Sequence, residues 1–162
     1  MDKNQAVIDY LLQCPQISNN ALYFNFGEAS DNSKQIITQG NDRAINKPYI
    51  DGSILKRYTF TLLDFRSIAA LAVPKSYGYT AENVDDIFDV QAIIDWISEQ
   101  EDNKNYPNFG EKCIVQKIST VTDNPNLNGI DVSVSPAIAR YSVSILIEYI
   151  DVAKRIWNNR QE

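Results

Sequence analysis

The chain has 162 residues, 44% of them hydrophobic and 22% charged, with a formal net charge of −6 and no histidine. These values fit one globular domain able to bury about 70% of its unfolded surface and exclude global disorder and fibrous repeats. The acidic balance argues against a surface that neutralises nucleic-acid phosphates, and the missing histidine removes the usual proton carrier near neutral pH.

Ala6, Val7, Tyr10, Leu11 and Cys14 recur at helical spacing and Pro15 follows, which predicts a helix over 3–14. Leu22, Phe24 and Phe26 alternate with Tyr23 and Asn25 as far as Gly27, the pattern of a strand with a turn behind it. Polar residues dominate 28–48, interrupted by the β-prone Ile36, Ile37 and Thr38, so this stretch reads as an exposed loop holding one short strand. Asp51 and Gly52 supply a turn or bulge before a long strand over 54–65, where Tyr58, Phe60 and Leu62 alternate with polar residues. The alanine-rich run 67–73 and the following Pro74, Tyr77, Gly78 and Tyr79 leave open a helical turn or an irregular connection.

A long helix over 81–100 is predicted next, with Thr80 as N-cap and Glu82, Asp85 and Asp86 near the positive end of its dipole. Val84, Ile87, Phe88, Ile94 and Ile97 share one broad face with Val90 and Ile93 beside it, so the helix should cover a sheet. Pro107 and Gly110 lead into a strand over 112–120, and DNPNLNG at 123–129 reads as a turn. Tyr141, Val143, Ile145, Ile147 and Tyr149 then alternate with Arg140, Ser142, Ser144, Leu146 and Glu148 in a final long strand. The end, 152–162, carries Val152, Ile156 and Trp157 at helical spacing among Lys154, Arg155 and Arg160, and reads as a short helix or an extending tail.

Strands grouped around one long helix predict an α+β class. The expected architecture is a single domain over 1–162, a mostly antiparallel sheet covered by an N-terminal helix and one long central helix. The N-terminal MDKNQAVIDYLL offers no apolar run with a cleavage site, and no segment approaches the roughly 20 apolar residues of a membrane span. A soluble cytosolic chain without a membrane partner is expected.

The chain contains no GxGxxG, GxxxxGK[ST], GxSxG or HExxH motif. No enzymatic activity, cofactor or metal is therefore expected. Asp85, Asp86 and Asp89 offer a hard cation too few ligands, and a solvated helix face is the preferred reading. Asp123, Asn124, Asn126 and Asn128 make an oxygen-rich loop, but Pro125 and the lack of a terminal Glu depart from an EF-hand, so a turn is preferred. Cys14 and Cys113 lie far apart and are read as buried reduced thiols. Tyr23, Tyr49, Tyr77, Tyr79 and Tyr106 fall near loops or strand ends, where local packing is favoured over an interface. Trp96 suits a core edge, whereas an exposed Trp157 would suggest docking to another subunit. The interface candidates are accordingly Tyr77, Tyr79, Arg155, Trp157 and Arg160.

LYFNFGE at 22–28, YIDGS at 49–53, RYTFTL at 57–62 and ARYSVSILIEYI at 139–150 together resemble the tail terminator and minor capsid (tail-completion) proteins of tailed bacteriophages infecting Gram-positive bacteria, and of related phage-tail-like particles. The likeness covers most of the chain and rests on structural motifs, and the segment 67–79 departs from it by its length. The resemblance implies a homohexameric ring that caps the tail tube, stops its polymerisation and presents a surface for joining head or neck. The implied partners are other copies, the tail tube protein, and sheath and neck proteins, with DNA only as passing cargo. The protein would be made in the host bacterial cytoplasm and assembled into a virion or tail-like particle. An acidic lumen would let DNA pass without adsorbing, and Asp85, Asp89, Asp95 and Asp123 are the candidates for that wall. A neck or head-completion adaptor is the alternative. A soluble small-ligand module or enzyme is the third, and it would need acid, base and electrophile groups gathered in a pocket.

Overall fold

Two fourteen-residue strands, β4 (Ile54–Ser67) and β7 (Ile138–Asp151), pair antiparallel along their whole length, from Ile54 opposite Asp151 to Ser67 opposite Ile138. This computed structural model describes residues 2–18, 20–25, 27, 29–39, 43–45, 47–68 and 81–152, with Arg43 and 81–86 as backbone alone. On the far side of β4 lie β2 (Lys34–Thr38) and β1 (Leu22–Phe24), with the short β3 (Arg43–Ala44) beside the start of β4. On the far side of β7 lie β5 (Cys113–Thr120) and β6 (Asn126–Asp131), which pair with its two halves in turn. Every pairing is antiparallel except β1 with β2. The result is an α+β fold with a mostly antiparallel sheet, as the sequence pattern predicts.

Alternation decides which face of the sheet is covered. Tyr58, Phe60 and Leu62 on β4 and Tyr141, Val143, Ile145, Ile147 and Tyr149 on β7 are all buried on one face. Against them pack Ala6, Val7, Tyr10 and Leu11 of α1 (Lys3–Leu11), Ile17 of α2 (Pro15–Ser18), and Val90, Ile93, Ile94 and Ile97 of α3 (Ala81–Asp102). Burying an Ile or Leu side chain stabilises the fold by roughly 1.5–3 kcal/mol, so these positions outweigh any surface contact. Trp96 sits at the core edge as expected, tilted on Tyr10 with ring centroids 5.2 Å apart. Phe109, on the connection from α3 to β5, meets Tyr58 and Tyr149 in edge-type contacts with ring centroids 5.8 and 5.4 Å apart, which ties that connection to β4 and β7.

The structure corrects several boundaries. The first helix ends at Leu11, and Pro15 does more than stop it: it opens α2, where the missing N–H costs nothing at a first helical position. Strand β1 stops at Phe24 because Asn25 turns into the left-handed region at φ 57°, where its side chain accepts the Thr38 amide at 3.1 Å. Residues 28–48 hold two strands, β2 and β3, where one was expected. The stretch 123–129 is only partly a turn, because Asn126 onward is β6, paired with β7 across an irregularity between Leu127 and Gly129. On α3, Ile87 and Phe88 do not join the core: both are exposed, Phe88 at 64%. The segments 69–80 and 153–162, with the expectations attached to them, lie outside the described residues. Among the described residues, no helix is long and apolar enough to cross a membrane.

Candidate functional site

Three features depart from a plain sandwich of helix on sheet. The first is a buried ionic cluster. Asp64 and Arg66 continue the inward phase of Tyr58, Phe60 and Leu62, and Lys34 on β2 lies directly opposite Asp64. Arg66 donates to both Asp64 oxygens, Nε at 2.9 Å and Nη2 at 3.1 Å, while Lys34 Nζ stands 3.3 Å from Asp64 Oδ2. Arg66 Nη1 reaches Asn32 Oδ1 at 2.7 Å and Asp89 Oδ2 at 3.1 Å. Two buried cations thus share one fully buried carboxylate, with the exposed Asp89 completing the balance from α3.

Lys34 Nζ makes no hydrogen bond of good geometry among the described residues, although the carboxylate is near. Burial pushes its ammonium below the usual lysine range, against the pull of Asp64. The nearby Cys14 thiol is pushed up by burial, which suits an inert core thiol and not a nucleophile. Cys113 is half-buried and, like Cys14, in no disulfide, so both thiols are reduced as expected but only Cys14 is fully buried. Chemically the cluster is a clamp: it ties β2, β4 and α3 together, and its carboxylate is closed to solvent.

The second feature is a recess of about 320 Å3 at the far end of β4, lined by Ala29, Phe65, Gly129 and Ile138 with Asp131 and Arg140 beside them, whereas Ile130, opposite Ala139, turns its side chain to the other face of the sheet. Arg140 Nη2 donates to Asn128 O at 3.2 Å, which holds the guanidinium along β6. Asp131 accepts from the Ser133 amide at 2.9 Å and its hydroxyl at 2.6 Å, and these bonds keep the carboxyl below its ordinary range. Every residue of β6 is exposed, and Ile114, Val121, Leu127, Ile130, Val132 and Val134 put large apolar side chains into solvent along this same sheet edge.

The third feature is the hairpin between β3 and β4. Tyr49 N donates to Ser53 O at 2.8 Å and Gly52 N to Tyr49 O at 2.9 Å, and Gly52 takes the φ of 83° that this turn requires. Asp51 accepts from the Ser53 amide and hydroxyl, both at 3.0 Å. At the tip Ile50 is fully exposed and Tyr49 half so.

No protein-family model matches the sequence, and no characterised protein matches it either. The site is therefore argued from the chain's own residues.

Of the acidic wall candidates, Asp95 and Asp123 come together: Gln91 Nε2 donates to Asp95 Oδ1 at 3.0 Å and to Asp123 O at 3.1 Å. Asp89 is exposed but turned toward Arg66, and the Asp85 side chain lies outside the described atoms. Tyr77, Tyr79, Arg155, Trp157 and Arg160 likewise lie outside the described residues. Among those described, no group of three metal-ligating side chains gathers. Tyr106 fits the local-packing reading, its hydroxyl donating to Gln116 O at 3.1 Å. Periodicity did not single out Lys34, Asp64, Arg66, the recess or Ile50. A signal for the first three was present, since charges standing in phase with an apolar strand face must be buried or must end the strand.

Proposed function

We propose that this chain is a ring-forming structural subunit of a phage tail or tail-like particle, a tail terminator that caps the tube and offers the joining surface for head or neck. The observation that carries this reading is the run of exposed apolar side chains along the β5–β6 edge, from Ile114 to Val134. Charges such as Lys117, Asp123 and Asp131 guard this edge only in part, and so many exposed apolar side chains along one sheet edge invite another chain. The resemblance in sequence falls on the scaffold itself, on β1, the β3–β4 hairpin, β4 and β7. Its role is geometric and not catalytic: β4 and β7 form a stiff beam, and function resides in the edges and loops that the beam carries. The acidic balance suits a ring through which DNA passes, with Asp95 and Asp123 placed together on one surface.

The test is absolute peptide quantification on purified tail particles against the major tube protein. About one closed ring of copies per particle is expected. A copy number rivalling the tube protein would make the chain a tube or sheath subunit, and its absence from particles would overturn the assignment.

A further inference from the structure

We propose that the Tyr49–Ile50 hairpin tip of one copy seats in the Phe65–Ile138–Arg140 recess of a second copy, in a head-to-tail contact. The tip and the recess stand at opposite ends of β4, separated by about 40 Å at the usual rise per residue. No copy can fill its own recess. The tip is a preformed knob, since its two turn bonds and the Asp51 contacts to Ser53 fix its shape before docking, and little ordering entropy is lost on association. The recess, about 320 Å3, admits an aliphatic side chain with part of the neighbouring ring.

Charge selects this pairing over a two-fold one. The tip carries Lys47 and Asp51 beside Ile50, and the recess rim carries Asp131 and Arg140, so each surface offers one charge of either sign to the other. Between Ile118 and Ala139 the only charges are Asp123 and Asp131, and joining two β6 edges about a two-fold axis would set carboxylates against carboxylates. Knob and recess are different patches, so the contact is heterologous and propagates into a ring where its rotation closes. The inference rests on the ring reading for closure, and it names the surfaces that reading leaves open.

Two variants in a Cys113→Ser background, Ile50→Cys and Ile138→Cys, are mixed and treated with a short bismaleimide, with Cys14 buried and unreactive. Covalent dimers joining peptide 50 to peptide 138 are expected only in the mixture. As a second readout, Ile50→Asp should leave the melting temperature unchanged, because the residue is fully exposed, and weaken self-association at least about tenfold. Equal dimer yield from Ile138→Cys alone would show two copies meeting recess to recess about a two-fold axis and overturn the proposal. No mixed adduct would overturn it as well, and particle copy number then separates the two failures: a ring count keeps the ring but moves its contact elsewhere, whereas absence from particles removes both.

Discussion

At the scale of single residues, Lys34 is the most consequential. It is 0% exposed, its ammonium faces a carboxylate that Arg66 already satisfies twice, and its own hydrogen bonding is poor. Taking a charge out of water costs several kcal/mol, and one ill-aligned partner does not return it. Lys34→Met is therefore expected to leave the stability unchanged or raise it, whereas Asp64→Asn, which strands two buried cations, should cost about 3–5 kcal/mol. The pH dependence follows from the direction of the shift. With the folded lysine below its unfolded value of about 10.4, the unfolded chain binds more protons between the two values, so stability rises with pH across that window. Lys34→Met should abolish this alkaline rise in urea midpoints. A retained rise, or a Lys34→Met variant as damaged as Asp64→Asn, would show that the ammonium is stabilising where it sits.

At the scale of elements, the end of α3 is fastened to β5 by one side chain. Glu101 Oε2 accepts the Ile118 amide at 2.8 Å, beyond the β5 irregularity at Gln116, and Oε1 takes Lys104 Nζ at 2.8 Å. Partial burial pushes the Glu101 carboxyl up, but the bonds from Lys104 and Ile118 outweigh it and hold it below its ordinary range. A depressed carboxyl contributes stability that is complete above its unfolded value, about 4.3, and is lost as pH falls through the folded value. Glu101→Ala should cost about 1–3 kcal/mol, lower the melting temperature by about 2–4 °C per kcal/mol, and speed hydrogen exchange at Ile118. Glu101→Gln, which keeps an acceptor, should recover the exchange protection while flattening the acid limb. Unchanged exchange at Ile118 in the alanine variant would mean that the contact carries no load.

How far these elements were legible follows from the same physics. β4, β7 and α3 could be read directly because their apolar periods are long and their environments uniform. β6 could not, because the irregularity between Leu127 and Gly129 breaks the two-residue period and none of its side chains is buried. The exposure of Ile87 and Phe88 was equally hidden: helical spacing locates a stripe, and the width of the facing sheet decides how much of it is covered. The recess has no sequence signature, since Phe65, Gly129 and Ile138 meet only through the pairing of three strands.

At the scale of the whole molecule, the pairing of β4 with β7 decides how the chain folds. The rung from Ile54 to Asp151 and the rung from Ser67 to Ile138 join the two halves of the sequence along the central beam. α1 and α3 complete one continuous core on a single face of that beam, so neither half can bury its apolar surface alone. Unfolding should accordingly be a single cooperative transition, with far-ultraviolet and near-ultraviolet signals coincident in urea. Folding should be slow for a chain of this size, because long loops must close before the central rungs form. Fragments 1–80 and 81–162 should each be unstructured when separate. The decisive comparison uses Ile145→Ala on β7 and Ile36→Ala on β2, both fully buried on the covered face. Each should shift the whole transition by about 2–5 kcal/mol without splitting it. A variant whose two signals separate, or a fragment with a cooperative transition of its own, would show that the sheet is two units in contact and not one beam.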